Sequence, residues 1–278
     1  MPATAPALVA RLRAWLTDTA RQVDAGYPDH EPLVIDAHGQ PRLKKLPQTA
    51  QRASVRELEA VIHRRLPERQ IIDLLVNIAH DTNWIRHVGP LSGSDPKRER
   101  ALERYILTAF AYGGNLGPAQ ATRHLRGLVT RHELSCVNRR QVNAHKLNAA
   151  RVDRINAYPS FPLPRFWGAG TAAAADGTTY DLYEQNLLAE YHLRYGGWGG
   201  MAYHHVADTS VARFSHFTPC GTWEAIDIIE GLLNNASDMQ PDAVHADTQG
   251  QVTPVCALAH LLGSRLMPRI RHWKDLVF

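Results

Sequence analysis

Two aspartates stand where carboxylate chemistry is possible. Asp176 follows the alanine run Ala172 to Ala175, in a segment (165–175) that reads as a buried strand. Asp247 closes a short apolar segment (243–247) that also reads as a strand. Side chains at the mouths of neighbouring strands converge, and converging carboxylates offer hard oxygen ligands to magnesium or manganese. Such cations clamp the attacking and leaving oxygens of an in-line phosphoryl displacement. Each aspartate also has an ordinary reading: the Asp176-Gly177 pair suits a turn, and Asp247 suits a helix N-cap.

The elements that must position these residues divide the chain near residue 160. Before it the texture is helical: an amphipathic segment at 6–23, a short hairpin at 33–46 around His38-Gly39-Gln40, and a capping-box start at Ser54 to Glu57. A helix through Ile71, Ile72, Leu74, Leu75 and Ile78 follows, and another opens at Asp95-Pro96 and stops near Gly113-Gly114. Two basic helices are expected over 118–156. The proline-rich YPSFPLPRFWG then reads as a linker or strand entry. Beyond it come a hairpin at 200–208 and 210–218, and a helix at 222–233 with Ile226, Ile229 and Leu233 on one face. The 243–247 strand, an apolar helix at 255–262 and a last strand at 266–270 complete the order.

Charge is uneven along this path. The 278 residues carry a net charge of +4, yet from Asp176 through Asp247 eleven acidic residues face two arginines. Basic residues concentrate before and after that block. Arg123, Arg126, Arg131, Arg139, Arg140, Lys146, Arg151 and Arg154 form one stretch; Arg265, Arg269, Arg271 and Lys274 form another. That density suits a phosphate backbone, where neutralised phosphates release counterions, although solvated helix faces carry Lys and Arg too. An acidic block beside a phosphate-binding surface calls for a metal ion to make the encounter favourable. Three scattered cysteines argue against a disulfide scaffold. The fifteen histidines form no H-E-x-x-H arrangement and read as ordinary polar or half-buried residues. No apolar stretch reaches the length of a membrane span, and the first residues lack the order of a signal peptide. An intracellular, soluble protein is therefore expected.

Several separated motifs resemble one family. HADTQG at 245–250, followed by CALAHLLGSRLMPRIR through Arg271, is similar to the catalytic region of the Tn-three family of replicative transposases. WGAGTAAAADG at 167–177 resembles that family's first catalytic strand, as GNLG at 114–117 and IIEGLL at 228–233 resemble other parts of it. Ala169 and Ala173 to Ala175 depart from the polar residues and serines common there, while the Asp-Gly is kept. The resemblance implies an α+β chain. Residues 1–160 would be a mostly helical, basic, DNA-contacting region, and 161–278 a ribonuclease-H-like mixed α/β core of the Asp-Asp-Glu type, incomplete at its C-terminal end. Asp176 and Asp247 map onto the two catalytic, metal-holding aspartates. Arg123, Arg126, Arg139, Arg140, Lys146, Arg151, Arg154, Arg269 and Arg271 would meet DNA.

The implied cofactor is magnesium or manganese, and the implied partner is double-stranded DNA, at transposon ends and in the target, bound by a homo-oligomer with no membrane involved. The implied reaction cleaves a phosphodiester with water and then joins the freed 3′-hydroxyl to target DNA. No glutamate follows Glu230, so a truncated piece of a longer transposase is expected. A non-catalytic DNA-binding or oligomerisation remnant is the alternative. A self-sufficient nuclease would need a third carboxylate, for instance Asp208 or Glu230.

Overall fold

A computed structural model describes residues 4–45, 47, 50, 52–94, 100–125 and 127–273. The expected Asp95-Pro96 helix start, Arg126 and Lys274 lie outside the described residues. The chain forms two compact units, Met1–Pro67 with His272–Phe278, and Glu68–Arg271.

The first unit contains α1 (Ala5–Gly26), the antiparallel strands β1 (Leu33–Ile35) and β2 (Pro41–Leu43), and α2 (Ala53–Arg65). Asp36 closes the hairpin: its Oδ1 accepts from the backbone N–H groups of His38 and Gln40, both at 3.0 Å. The capping box expected at Ser54 does not form. Arg52 is the N-cap, with no side-chain cap, and Ser54 already lies inside α2, where its backbone is helical.

In the second unit α3 (Ile71–Thr82) opens with a capping box between Gln70 and Asp73. It is followed by α4 (Ala101–Gly113) and by three basic helices where two were expected: α5 (Gly117–His124), α6 (Arg131–Gln141) and α7 (Ala144–Ala157). Thr130 and Glu133 cap α6 reciprocally. Leu107, Ala111, Ala121, Leu125, Val129 and Leu134 make a helical core, onto which Leu116 of the GNLG segment packs.

The sheet follows. The prolines after α7 give two short 3-10 turns, Tyr158–Ser160 and Leu163–Phe166, so the first strand starts later than the sequence implied. It is β3 (Ala172–Asp181), and Asp176 lies within it rather than at its end. Then come β4 (Glu190–His192), which the sequence did not announce, β5 (Gly197–Ala207), β6 (Ala212–Pro219), α8 (Ala225–Leu233), β7 (Ala243–Ala246), α9 (Thr253–Leu261) and β8 (Arg265–Pro268). Antiparallel β5 joins β3 to β6 and, at its other end, to β4; β7 is parallel to β3, and β8 is parallel to β7. A three-strand meander continued by two parallel strands, each reached through a helix, is the arrangement of a ribonuclease-H-like core.

Ala175, Tyr203, Ile228, Val244, Ala246 and Val255 fill the space between the sheet and α8 and α9. The buried face of α8 is Ala225 and Ile228, not the expected Ile226 face: Ile226 is 54% exposed. Small Ala225 and Gly231 let the helix lie close to the strands, with Ile228 buried and Ile229 and Leu232 packed beside it, while Ile226 and Leu233 stay exposed. Among the described residues no helix is long and apolar enough to cross a membrane.

Candidate active site

The parallel pairing of β3 and β7 sets the site. Ala175 is opposite Ala246, and Asp176 and Asp247 are the next residues on the two chains. They therefore stand side by side on backbones about 4.8 Å apart. Strand alternation sends the Asp176 side chain to the face opposite buried Ala175, and Asp247, just past the end of β7, caps the turn that follows. Asp176 is exposed and Asp247 half-buried. The two predicted aspartates are thus brought together by register.

Local hydrogen bonds hold each carboxylate. The Gly177 N–H donates to Asp176 Oδ1 at 2.9 Å. Asp247 caps the 3-10 turn Thr248–Gln251, its Oδ1 accepting from the Gln249 N–H at 3.0 Å. Gly250 makes that turn possible: a Cβ there would stand 2.8 Å from Ala246 Cβ and 3.2 Å from Pro268 Cβ.

A third carboxylate, which the sequence reading missed, belongs to the same neighbourhood. Glu224 precedes the first residue of α8, and its Oε1 accepts from the Gln249 side-chain amide at 3.0 Å. Its Oε2 comes within 3.0 Å of where a Cβ on Gly177 would stand, a position only glycine leaves open. Burial raises the Glu224 carboxyl above its ordinary range, and the charges of Asp247 and, less strongly, Asp176 add to this against the Gln249 hydrogen bond. Beneath these groups the buried Tyr203 phenol is pushed far up, first by burial and then by Asp247 and Glu224. The only sequence signal for Glu224 was its place at the head of an apolar helix; its proximity to residues on two other elements is tertiary.

The other acids considered do not join them. Asp208 lies at the start of β3, where its N–H donates to Ala172 O and its Oδ1 accepts from the Gly170 N–H at 2.8 Å. Glu230 faces His216, at 3.6 Å.

The basic residues separate into two kinds. Arg123, Arg139, Arg140, Arg154, Arg269 and Arg271 are exposed. The last two flank the aspartates: the Arg269 N–H donates to Ala246 O at 2.8 Å, and the Arg271 N–H to Gln251 Oε1 at 2.8 Å. Lys146 and Arg151 are engaged internally. Lys146 Nζ donates to Gly89 O at 2.6 Å and Pro90 O at 3.2 Å. Arg151 donates to Ser215 O at 3.2 Å and lies over the Phe214 ring.

Residues 73–278 match the family described as Tn3 transposase DDE domain. The chain is 28% identical to "Transposase for transposon Tn1546" of Enterococcus faecium, over 84% of its own length and 23% of the relative's. It is 29% identical to "Transposase for transposon Tn2501" of Escherichia coli, over 77% of itself and 22% of that protein. It spans less than a quarter of the length of these relatives. Among solved structures it is similar to the Mos1 mariner paired end complex with Mn, at 12% identity over 79% of this chain and 73% of that one. The TM-score there is 0.26.

Proposed function

Because the chain belongs to the Tn3 transposase DDE domain family, we propose that it carries the two-aspartate part of a DNA transposase catalytic centre. The observation that supports this most is the parallel register of β3 and β7, which brings Asp176, within β3, beside Asp247, just past the end of β7. The donor set fits a hard divalent cation, magnesium or manganese: the oxygens of Asp176 and Asp247, with Glu224 close enough for its ionisation to be opposed by theirs. When bound, such a cation stabilises charge on the phosphate oxygens and favours the nucleophile.

The chain's own residues do the rest. The Gly177 and Gln249 N–H groups fix the carboxylates before substrate arrives, so little reorganisation is left for the reaction. Glu224, through Gln249, steadies the turn that presents Asp247. Arg269 and Arg271 flank the pair, where they meet the backbone of double-stranded DNA, and Arg123, Arg139, Arg140 and Arg154 extend that contact along the helical region (1–160). The reaction served is hydrolysis of a phosphodiester at a transposon end, giving a free 3′-hydroxyl. Attack of that hydroxyl on a target phosphodiester follows, displacing a target 3′-oxygen, within a homo-oligomer on DNA in the cytoplasm.

Titrating Mn2+ into the full chain, followed by loss of the free-ion electron paramagnetic resonance signal, tests the metal assignment. Asp176→Asn and Asp247→Asn are each expected to weaken the aspartate site at least tenfold with unchanged circular dichroism. Undiminished binding in both would remove the assignment.

A further inference from the structure

We propose that His216, Asp227 and Glu230 form a second divalent-metal site, suited to a late first-row ion such as Zn2+ and separate from the aspartate pair. His216 lies on β6, in register with Tyr203 of β5. Asp227 and Glu230 are one turn apart on α8, so both reach the same side of the helix. One ligand atom from each of the three residues lies within 4.8 Å of the other two, and His216 Nε2 is 3.6 Å from Glu230 Oε2. Ligands around a single zinc at bond lengths of about 2.0–2.2 Å stand roughly 3.4 Å apart, so small side-chain rotations close the cluster.

An acidic cluster alone would say little; Asp227 says more. It is 1% exposed, and its Oδ2 has no hydrogen-bond partner among the described residues. A carboxylate taken out of water without a partner is costly, and such groups are paired or coordinate metals. With a neutral imidazole the trio holds two negative charges around one nitrogen donor. That composition favours zinc-like ions over magnesium, whereas the Asp176–Asp247 pair offers oxygen alone. The His216 and Glu230 side chains are 36% and 33% exposed, which leaves an entry path from solvent. An ion here fastens α8 to β6, and with it the helix start that carries Glu224.

The test is calorimetric titration of Zn2+ into the full chain with excess Mg2+ present to occupy the all-oxygen pair. It is repeated on His216→Ala, Glu230→Gln and, as a control, Asp176→Asn. Both substitutions in the trio replace half-exposed side chains, and circular dichroism without metal verifies the fold. The expected result is one Zn2+ equivalent in the parent chain and in Asp176→Asn, raising the melting temperature. In His216→Ala and Glu230→Gln it is lost or weakened at least tenfold. Equal Zn2+ stoichiometry and affinity in all four proteins overturns the proposal, as does the absence of any Zn2+ equivalent in the parent chain. Neither result bears on Mn2+ binding at the aspartates.

Discussion

Asp247 works through its neighbours. Its carboxylate is oriented by the Gln249 N–H, while the Gln249 side chain is held by Glu224, so three residues form one chain of hydrogen bonds. Glu224→Gln keeps an acceptor for Gln249 but removes a charge that Asp247 and Asp176 oppose. The metal-free protein is expected to keep or gain stability, and Mn2+ affinity to fall about tenfold, as for other partners that orient a ligand. A drop in both stability and affinity, measured by urea unfolding and titration, would assign Glu224 a packing role instead. His205 is a separate residue-scale case. Burial depresses its pKa from 6.5 to about 4, with the nearby Arg213 charge acting in the same direction. It is neutral in the folded chain over that interval, while the unfolded chain binds the proton. Stability contributed by this group is therefore complete above pH 6.5 and is lost as pH falls toward 4, by about 3 kcal/mol. Urea unfolding at pH 7.5 and 4.5 reads this loss, and His205→Gln should abolish most of it.

At the scale of elements, the decisive piece is the 3-10 turn between β7 and α9. Gly250 is buried against Ala246, Pro268 and Ile228, so the turn is wedged between β8 and α8. The two strand atoms belong to short, inflexible side chains. Gly250→Ala is accordingly expected to cost about 1–3 kcal/mol of stability, the usual range for overpacking, and to weaken Mn2+ binding by displacing Asp247. A variant as stable as the parent by chemical denaturation would show that the turn yields freely. The expected strand before Asp176 illustrates the opposite error. Pro162 and Pro164 favour 3-10 turns, and β3 then runs past Asp176 because antiparallel β5 continues to pair with it.

For the whole molecule, charge and topology combine. The acidic block from Asp176 through Asp247 is spread over the strands, α8 and the loops that join them, while exposed arginines occupy the helices before it and the segment after it. DNA affinity should fall steeply with salt, with a log–log slope near −0.9 per phosphate neutralised. Replacing Arg139, Arg140, Arg269 and Arg271 together by alanine is expected to flatten that slope by about 3 to 4. Lys146→Ala should leave the slope unchanged and lower stability instead, because its ammonium is spent on the Gly89 and Pro90 carbonyls. Fluorescence anisotropy of a labelled duplex over a salt series separates these cases, and a slope change on Lys146→Ala would return that residue to the DNA contact set.

The sequence by itself determined the family and the helical-then-mixed order of the chain, and it singled out Asp176 and Asp247 as candidates. Those depend on local patterns: an Asp-Gly after an apolar run, an Asp before a turn and an apolar helix, and an ordered series of short motifs. Tertiary structure alone decided that Asp176 and Asp247 are neighbours, because strand register is set by pairing between distant segments. It also decided that Glu224 rather than Asp208 or Glu230 joins them, that Lys146 and Arg151 turn inward, and that His216 meets Asp227 and Glu230. Each of these is a contact between different elements, fixed by which faces the core must bury, and no spacing along one element records it.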